Sequence, residues 1–186
     1  HRITAAMMFS VGYDEVTSDQ RRVGKTLRHG VNYSAGPKVL GQWLKISQGE
    51  AKKYLRQFHN TTPQLSVWHQ KIKRQLEKDR TLVTPMGRKR VFMERWADPL
   101  FRSAYAFIPQ STIGDLLNLA LTTFYNTHNV PDMGIAMQLH DAIYIWCKED
   151  EAPYWGSQLA KAMHIPIKMD YRDLYICVDF KLGKDW

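Results

Sequence analysis

The stretch MGIAMQLHDAIYIWC constrains this chain more than any other. Two apolar runs, Ile135 to Leu139 and Ala142 to Cys147, are separated only by His140 and Asp141. A two-residue connection leaves room for one solution, an antiparallel hairpin. The carboxylate of Asp141 then stands at the tip of a rigid pair of strands.

The chain upstream has a different period. Ile3 to Phe9 is a short apolar run with helical character. Ser18 or Asp19 is placed to cap a helix running to Tyr33, and Ser34-Ala-Gly-Pro37 breaks it. Pro37 opens a further helix through Trp43. Ser47 with Glu50 makes a capping box ahead of Ala51, Leu55 and Phe58. Thr62-Pro63 starts another helix with Leu65, Trp68, Ile72 and Leu76 on one face. TLVTPMGRKRVF reads as two short strands around Pro85-Met-Gly87. Thr112 with Asp115 forms a second capping-box pattern ahead of Leu116, Leu117, Ala120, Leu121 and Phe124. After the hairpin come a helix near Tyr154 to Met163 and strands near Ile167 to Asp170 and Tyr175 to Lys181. Trp43, Trp68, Trp96, Trp146 and Trp155 are expected in the core or at subdomain contacts. The fold class is therefore α+β, a helical first half followed by a mixed half built on an antiparallel sheet.

Composition narrows the function. The 186 residues carry a formal charge of +8, and 44% are hydrophobic, which suits a globular chain attracted to polyanions. Cys147 and Cys177, the only cysteines, have no zinc spacing and point to a reducing, cytoplasmic setting. His59, His69, His128 and His164 make no metal-binding pattern. No apolar run approaches the ~20 residues of a membrane helix. The start at His1 points to a truncation, a processed product or a split gene.

Arg21, Lys25, His29 and Tyr33 recur every four residues. Each step drifts about 40° around a helix, so two cations, an imidazole and an aromatic ring share one broad face. No Asp or Glu lies between Arg21 and Tyr33 to pair with them along the helix. Such a face suits a triphosphate at one end and a base or sugar at the other, although it also suits a solvated basic helix.

These segments resemble family A DNA polymerases, of bacterial DNA polymerase I type or a phage relative. RRVGKTLRHGVNYSAG is similar to motif B, usually RRxxKxxxFGxxYG. Arg28 stands for a common Asn, His29 for Phe or Tyr, and Ser34 for Gly. MQLHDAIYIW resembles motif C, usually QVHDE, with Ala142 in place of Glu. TLVTPMGRKRVF resembles T-x-x-G-R-R-R. RSAYAFIPQSTIGD resembles R-x-A-x-N-x-x-x-Q-G-T-x-A-D, with Ala106 and Ser111 as departures. GKDW resembles the closing G-x-x-W. The five segments occur in family order across the whole chain.

The resemblance implies template-directed DNA synthesis by two-metal-ion catalysis. It implies Asp141 as catalytic residue and Mg²⁺ ligand, and Arg21, Lys25, His29 and Tyr33 as nucleotide-binding residues. Arg88, Arg90, Arg102, Gln110 and His140 are implied on the DNA side. Residues 1–95 would be fingers, with the motif B helix at about 18–33. Residues 96–186 would be C-terminal palm, with the motif C hairpin at about 135–147. The implied partners are primer-template DNA and deoxynucleoside triphosphates. Motif A, DxSQxELR, does not occur in the sequence. A second aspartate, with the thumb, is thus expected on another polypeptide or segment, and the isolated chain is expected to be inactive. A phage-type RNA polymerase fragment and a non-catalytic DNA-binding module are the competing readings.

Overall fold

A computed structural model describes residues 1–128 and 130–184. The chain forms two compact units. The first comprises His1–Leu82 with Arg90–Phe107, and the second Val83–Lys89 with Ile108–Trp186. The chain crosses between them three times, at Leu82–Val83, Lys89–Arg90 and Phe107–Ile108.

In the first unit, α1 (Arg2–Phe9), α2 (Ser18–Asn32), α3 (Pro37–Leu44), α4 (Gln48–Thr61) and α5 (Pro63–Asp79) follow one another with short connections. Met8, Leu27, Val31, Leu40, Ala51 and Phe58 interlock into a core drawn from the first four helices. Two glycines set how closely α2 can be approached. A Cβ on Gly24 would lie 2.9 Å from both the Ala5 nitrogen and the His1 carbonyl oxygen, and one on Gly30 would lie 2.6 Å from Leu40 Cδ2. Both are therefore contact points where α1 and α3 press on the helix.

The capping box expected at Ser47 is present. Glu50 N donates to Ser47 Oγ at 3.2 Å, and Ser47 N donates to Glu50 Oε2 at 3.0 Å. For α2 the cap is Thr17, not Ser18 or Asp19. The reason is reciprocity. Gln20 lies three residues after Thr17, and its Oε1 accepts from Thr17 N at 3.0 Å. Three residues after Ser18 and Asp19 stand Arg21 and Arg22, which have no acceptor to return.

Strands β1 (Thr81–Val83) and β2 (Lys89–Val91) form a two-stranded sheet around Gly87, whose φ is +85°. Helix α6 then runs from Asp98 to Thr127 with Pro109 inside it. This corrects the reading of Thr112 and Asp115 as a helix start. Thr112 is buried mid-helix and its hydroxyl donates to the Ile108 carbonyl at 2.6 Å. A serine or threonine in a helix interior satisfies itself this way, four residues back. Pro109 lacks an N–H and leaves the preceding turn one bond short. The division between the two units falls beside it, at Phe107 and Ile108.

In the second unit, β3 (Met133–Leu139) pairs antiparallel with β4 (Ala142–Cys147) in the register Leu139↔Ala142 to Met133↔Cys147, with a bulge between Ile135 and Met137. A 3-10 turn at Glu149–Glu151 leads into α7 (Ala152–Met163). Phe124 from the end of α6, Met133, Trp155 and Leu159 form the core, with Ile135, Ile143, Ile145 and Cys147 against it. Strands β5 (Ile167–Lys168) and β6 (Asp173–Leu174) pair over two residues each. The strand expected over Tyr175 to Lys181 does not form. Residues 175–181 pair with no strand among the described residues, and Tyr175, Ile176 and Phe180 are exposed. The tryptophan expectation holds for Trp155, which is buried; Trp43, Trp96 and Trp146 are 54%, 45% and 55% exposed. Trp186, which closes the GKDW segment, lies outside the described residues.

Candidate functional site

The outward face of α2 is built by its inward face. Gly24, Leu27, Gly30 and Val31 are buried, which fixes the helix's rotation and turns Arg21, Lys25 and His29 to solvent. The Thr17 box anchors the N-terminal end. Arg21 and Lys25 make no hydrogen bond or ion pair among the described residues. His29 lies with its ring 5.1 Å from that of His1, the planes tilted by 45°. Tyr33 is half-buried and forms the C-cap at φ −104°. Next to this face, His1, Arg2, Tyr13 and Arg21 line a polar cleft of about 350 Å³. The face thus presents two uncommitted cations followed by an imidazole, an arrangement that fits a polyphosphate running along the helix.

Arg28 has a different task. Its guanidinium donates to Thr4 Oγ1 at 3.2 Å and ties α2 to the buried side chain of α1. Sequence reasoning noted Arg28 only as a departure from asparagine. The signal for its role was the long side chain one position off the ligand stripe.

In the second unit, His140 takes a left-handed φ of 52° and Asp141 completes the two-residue turn. Primed hairpin turns require positive φ at their first central residue, and histidine tolerates it better than most. Asp141 stands exposed at the tip with no hydrogen-bonding partner among the described residues. Its oxygens are hard donors of the kind magnesium takes. A magnesium pair needs many such oxygens, and no group of three His, Cys, Asp or Glu side chains gathers as a metal site among the described residues. The described residues therefore do not by themselves fit the metal pair; Asp141 fits as a single ligand.

The basic residues divide three ways. Arg88 is committed to Asp115: its Nε donates at 2.9 and 3.0 Å to the two carboxylate oxygens, and the hydrogen bond holds the guanidinium's pKa above its ordinary value. Arg90 pairs with Glu94 at 2.9 Å and lies 4.4 Å over the Phe92 ring. Arg102 is exposed on α6 without an ion pair among the described residues. Gln110 follows Pro109 directly on α6 and is exposed. The α2 residues, Arg90 and Arg102 belong to the first unit. Arg88, Gln110, His140 and Asp141 belong to the second.

The family model of DNA polymerase family A matches residues 1–186. The chain belongs to DNA polymerase family A. It is 25% identical over 198 residues to DNA polymerase I of Aquifex aeolicus, covering all of this chain and 33% of that protein. It is likewise 25% identical over 196 residues to the thermostable DNA polymerase I of Thermus aquaticus, covering 23% of that protein. Among solved structures it matches the POL domain of Pol1 from M. smegmatis in complex with DNA primer-template and dNTP. That match has a TM-score of 0.79 and 25% identity over 88% of this chain and 30% of the other. The chain thus spans a third or less of the length of these relatives. Among the described residues, no helix is long and apolar enough to cross a membrane.

Proposed function

We propose that the chain works in template-directed DNA synthesis as the C-terminal part of a family A DNA polymerase. The observation that carries this reading is the face of α2, where Arg21 and Lys25 stand exposed, one turn apart and without ion-pair partners. In this reading their charges hold the triphosphate of an incoming deoxynucleotide, and His29 and Tyr33 lie toward its sugar and base. Charge-assisted bonds to phosphate are about twice as strong as neutral ones, and arginine's fork matches phosphate geometry. Residues 1–95 act as fingers and residues 96–186 as C-terminal palm. Arg88, Arg90, Arg102, Gln110 and His140 face primer-template DNA. The M. smegmatis relative, seen with primer-template and dNTP, supports these partners.

Asp141 is the catalytic carboxylate and one ligand of the magnesium cofactor. The remaining ligands come from a segment carrying motif A, which with the thumb lies outside the present sequence. Ala142 offers no second carboxylate beside it. The protein is placed in the cytoplasm, where its two thiols stay reduced.

The test is primer extension with Mg²⁺ by the chain combined with a family A segment that carries motif A and thumb. Incorporation of deoxynucleotides against a template, in preference to ribonucleotides, is expected. Extension with ribonucleotides alone would replace this reading with an RNA polymerase, and DNA binding without extension would leave a binding module.

A further inference from the structure

His69 projects from α5 and touches the end of the candidate nucleotide helix. Its Nε2 lies 2.9 Å from the carbonyl oxygen of Asn32, the last residue of α2. Its ring stacks on Tyr105 of α6, centroids 3.9 Å apart and planes within 21° of parallel. Trp68 flanks both rings at 5.4 and 6.0 Å. All four residues lie in the first unit.

The last four carbonyls of a helix have no partner within it. A glycine after the helix commonly closes such an end; here Tyr33 and then Ser34, at φ 60°, must do so. The closure consists of three backbone bonds: Tyr33 N and Ala35 N to the Gly30 carbonyl, and Ser34 N to the Val31 carbonyl. A fourth bond arrives from outside, from His69. A carbonyl can only accept, so Nε2 carries the proton. The stack on Tyr105 fixes the ring plane, and with it the direction of that N–H. Burial pushes the ring's pKa below its ordinary value, which keeps it a neutral, single-tautomer donor near neutral pH.

The geometry points to His69 as a positioning residue for nucleotide binding: its Nε2–H fixes the last turn of α2 and so places His29 and Tyr33. This rests on the reading of α2 as the nucleotide helix. The Thr17 capping box holds one end of that helix and His69 the other. Loss of the outer bond frees the turn that carries the aromatic end of the stripe, while leaving Arg21 and Lys25 anchored.

The test separates donor from packing. His69→Phe keeps a ring against Tyr105 and removes the N–H; His69→Gln keeps a donor. In the purified chain, amide hydrogen exchange is read at Tyr33, Ser34 and Ala35, and binding of a magnesium deoxynucleoside triphosphate is read by calorimetry. His69→Phe is expected to raise exchange at these three amides about tenfold, with β3 and β4 unaffected, because only a local opening is eased. It is expected to weaken nucleotide binding about fivefold or more, and His69→Gln to stay within about twofold of wild type on both readouts. Unchanged exchange and binding in His69→Phe overturns the proposal. Should His69→Phe not fold, His69→Gln decides: retention supports the proposal, and loss despite the donor overturns it. Lys25→Ala runs alongside. Nucleotide binding indifferent to Lys25→Ala removes the nucleotide role of α2, while the exchange readout, which needs no nucleotide, still judges His69.

Discussion

The Arg88 guanidinium holds the Asp115 carboxylate through its Nε, 2.9 Å from one oxygen and 3.0 Å from the other. The pair joins the turn after β1 to the middle of α6. Both residues match family A segments in the sequence, yet the matching positions are 27 apart and nothing in either segment says that they pair. Arg88 therefore enters any DNA contact already partly neutralised. Asp115→Asn should release a full positive charge. Binding to a primer-template duplex, followed by anisotropy across salt, is expected to tighten at low salt. The slope of log affinity on log salt should steepen by about 0.9 for the phosphate gained. An unchanged slope would remove Arg88 from the DNA side.

Lys25 stands on the α2 stripe without an ion-pair partner. Lys25→Ala should weaken binding of a deoxynucleoside triphosphate about tenfold or more while leaving the melting temperature unchanged, since the side chain is exposed. Equal affinity in calorimetry would contradict its place at the phosphates.

Gly24 and Gly114 make a paired test of packing against helix propensity. A Cβ at Gly24 meets the backbone of α1 at 2.9 Å, and backbone cannot swing aside. Gly24→Ala is expected to destabilise by about 1–3 kcal/mol in denaturant melts. At Gly114, inside α6, a Cβ meets nothing within 4 Å. Gly114→Ala is expected to stabilise by about 0.5–1 kcal/mol. Opposite signs support the α1–α2 contact; two stabilising changes would refute it.

Burial lowers the His69 pKa below the ordinary 6.5, and the neighbouring His59 and Lys73 add to the effect against the pull of the Asn32 carbonyl. A histidine that is harder to protonate when folded contributes stability above its unfolded pKa, and that stability is lost as pH falls toward the folded value. The first unit is thus expected to lose stability as pH drops below about 6.5, and His69→Phe to flatten that dependence. The slope of unfolding free energy against pH, measured for both proteins, checks the sign.

Much of this was legible in the sequence. Two apolar runs two residues apart left no alternative to the β3–β4 hairpin, and the four-residue stripe fixed the outward face of α2. The rest depends on which neighbours, near or far along the chain, a residue meets once folded. Thr17 caps α2 only because Gln20 returns its bond, and Thr112 with Asp115 imitates a helix start while Pro109 sits in a continuous helix. The segment after Leu174 has strand composition, but a strand forms only against a neighbour. The bonds of Arg28 to Thr4 and His69 to Asn32 join residues 24 and 37 positions apart, beyond the reach of any local pattern.

Asp141, at the turn between β3 and β4, is proposed as a catalytic carboxylate of a DNA polymerase. The direct measurement is primer extension with Mg²⁺ by the chain complemented with a segment carrying motif A and thumb, comparing wild type with Asp141→Asn. Loss of one metal-bound carboxylate forfeits several kcal/mol of charge stabilisation, so the variant is expected to extend primers about a hundredfold more slowly or worse. Extension by Asp141→Asn at the wild-type rate would make Asp141 a turn residue and nothing more.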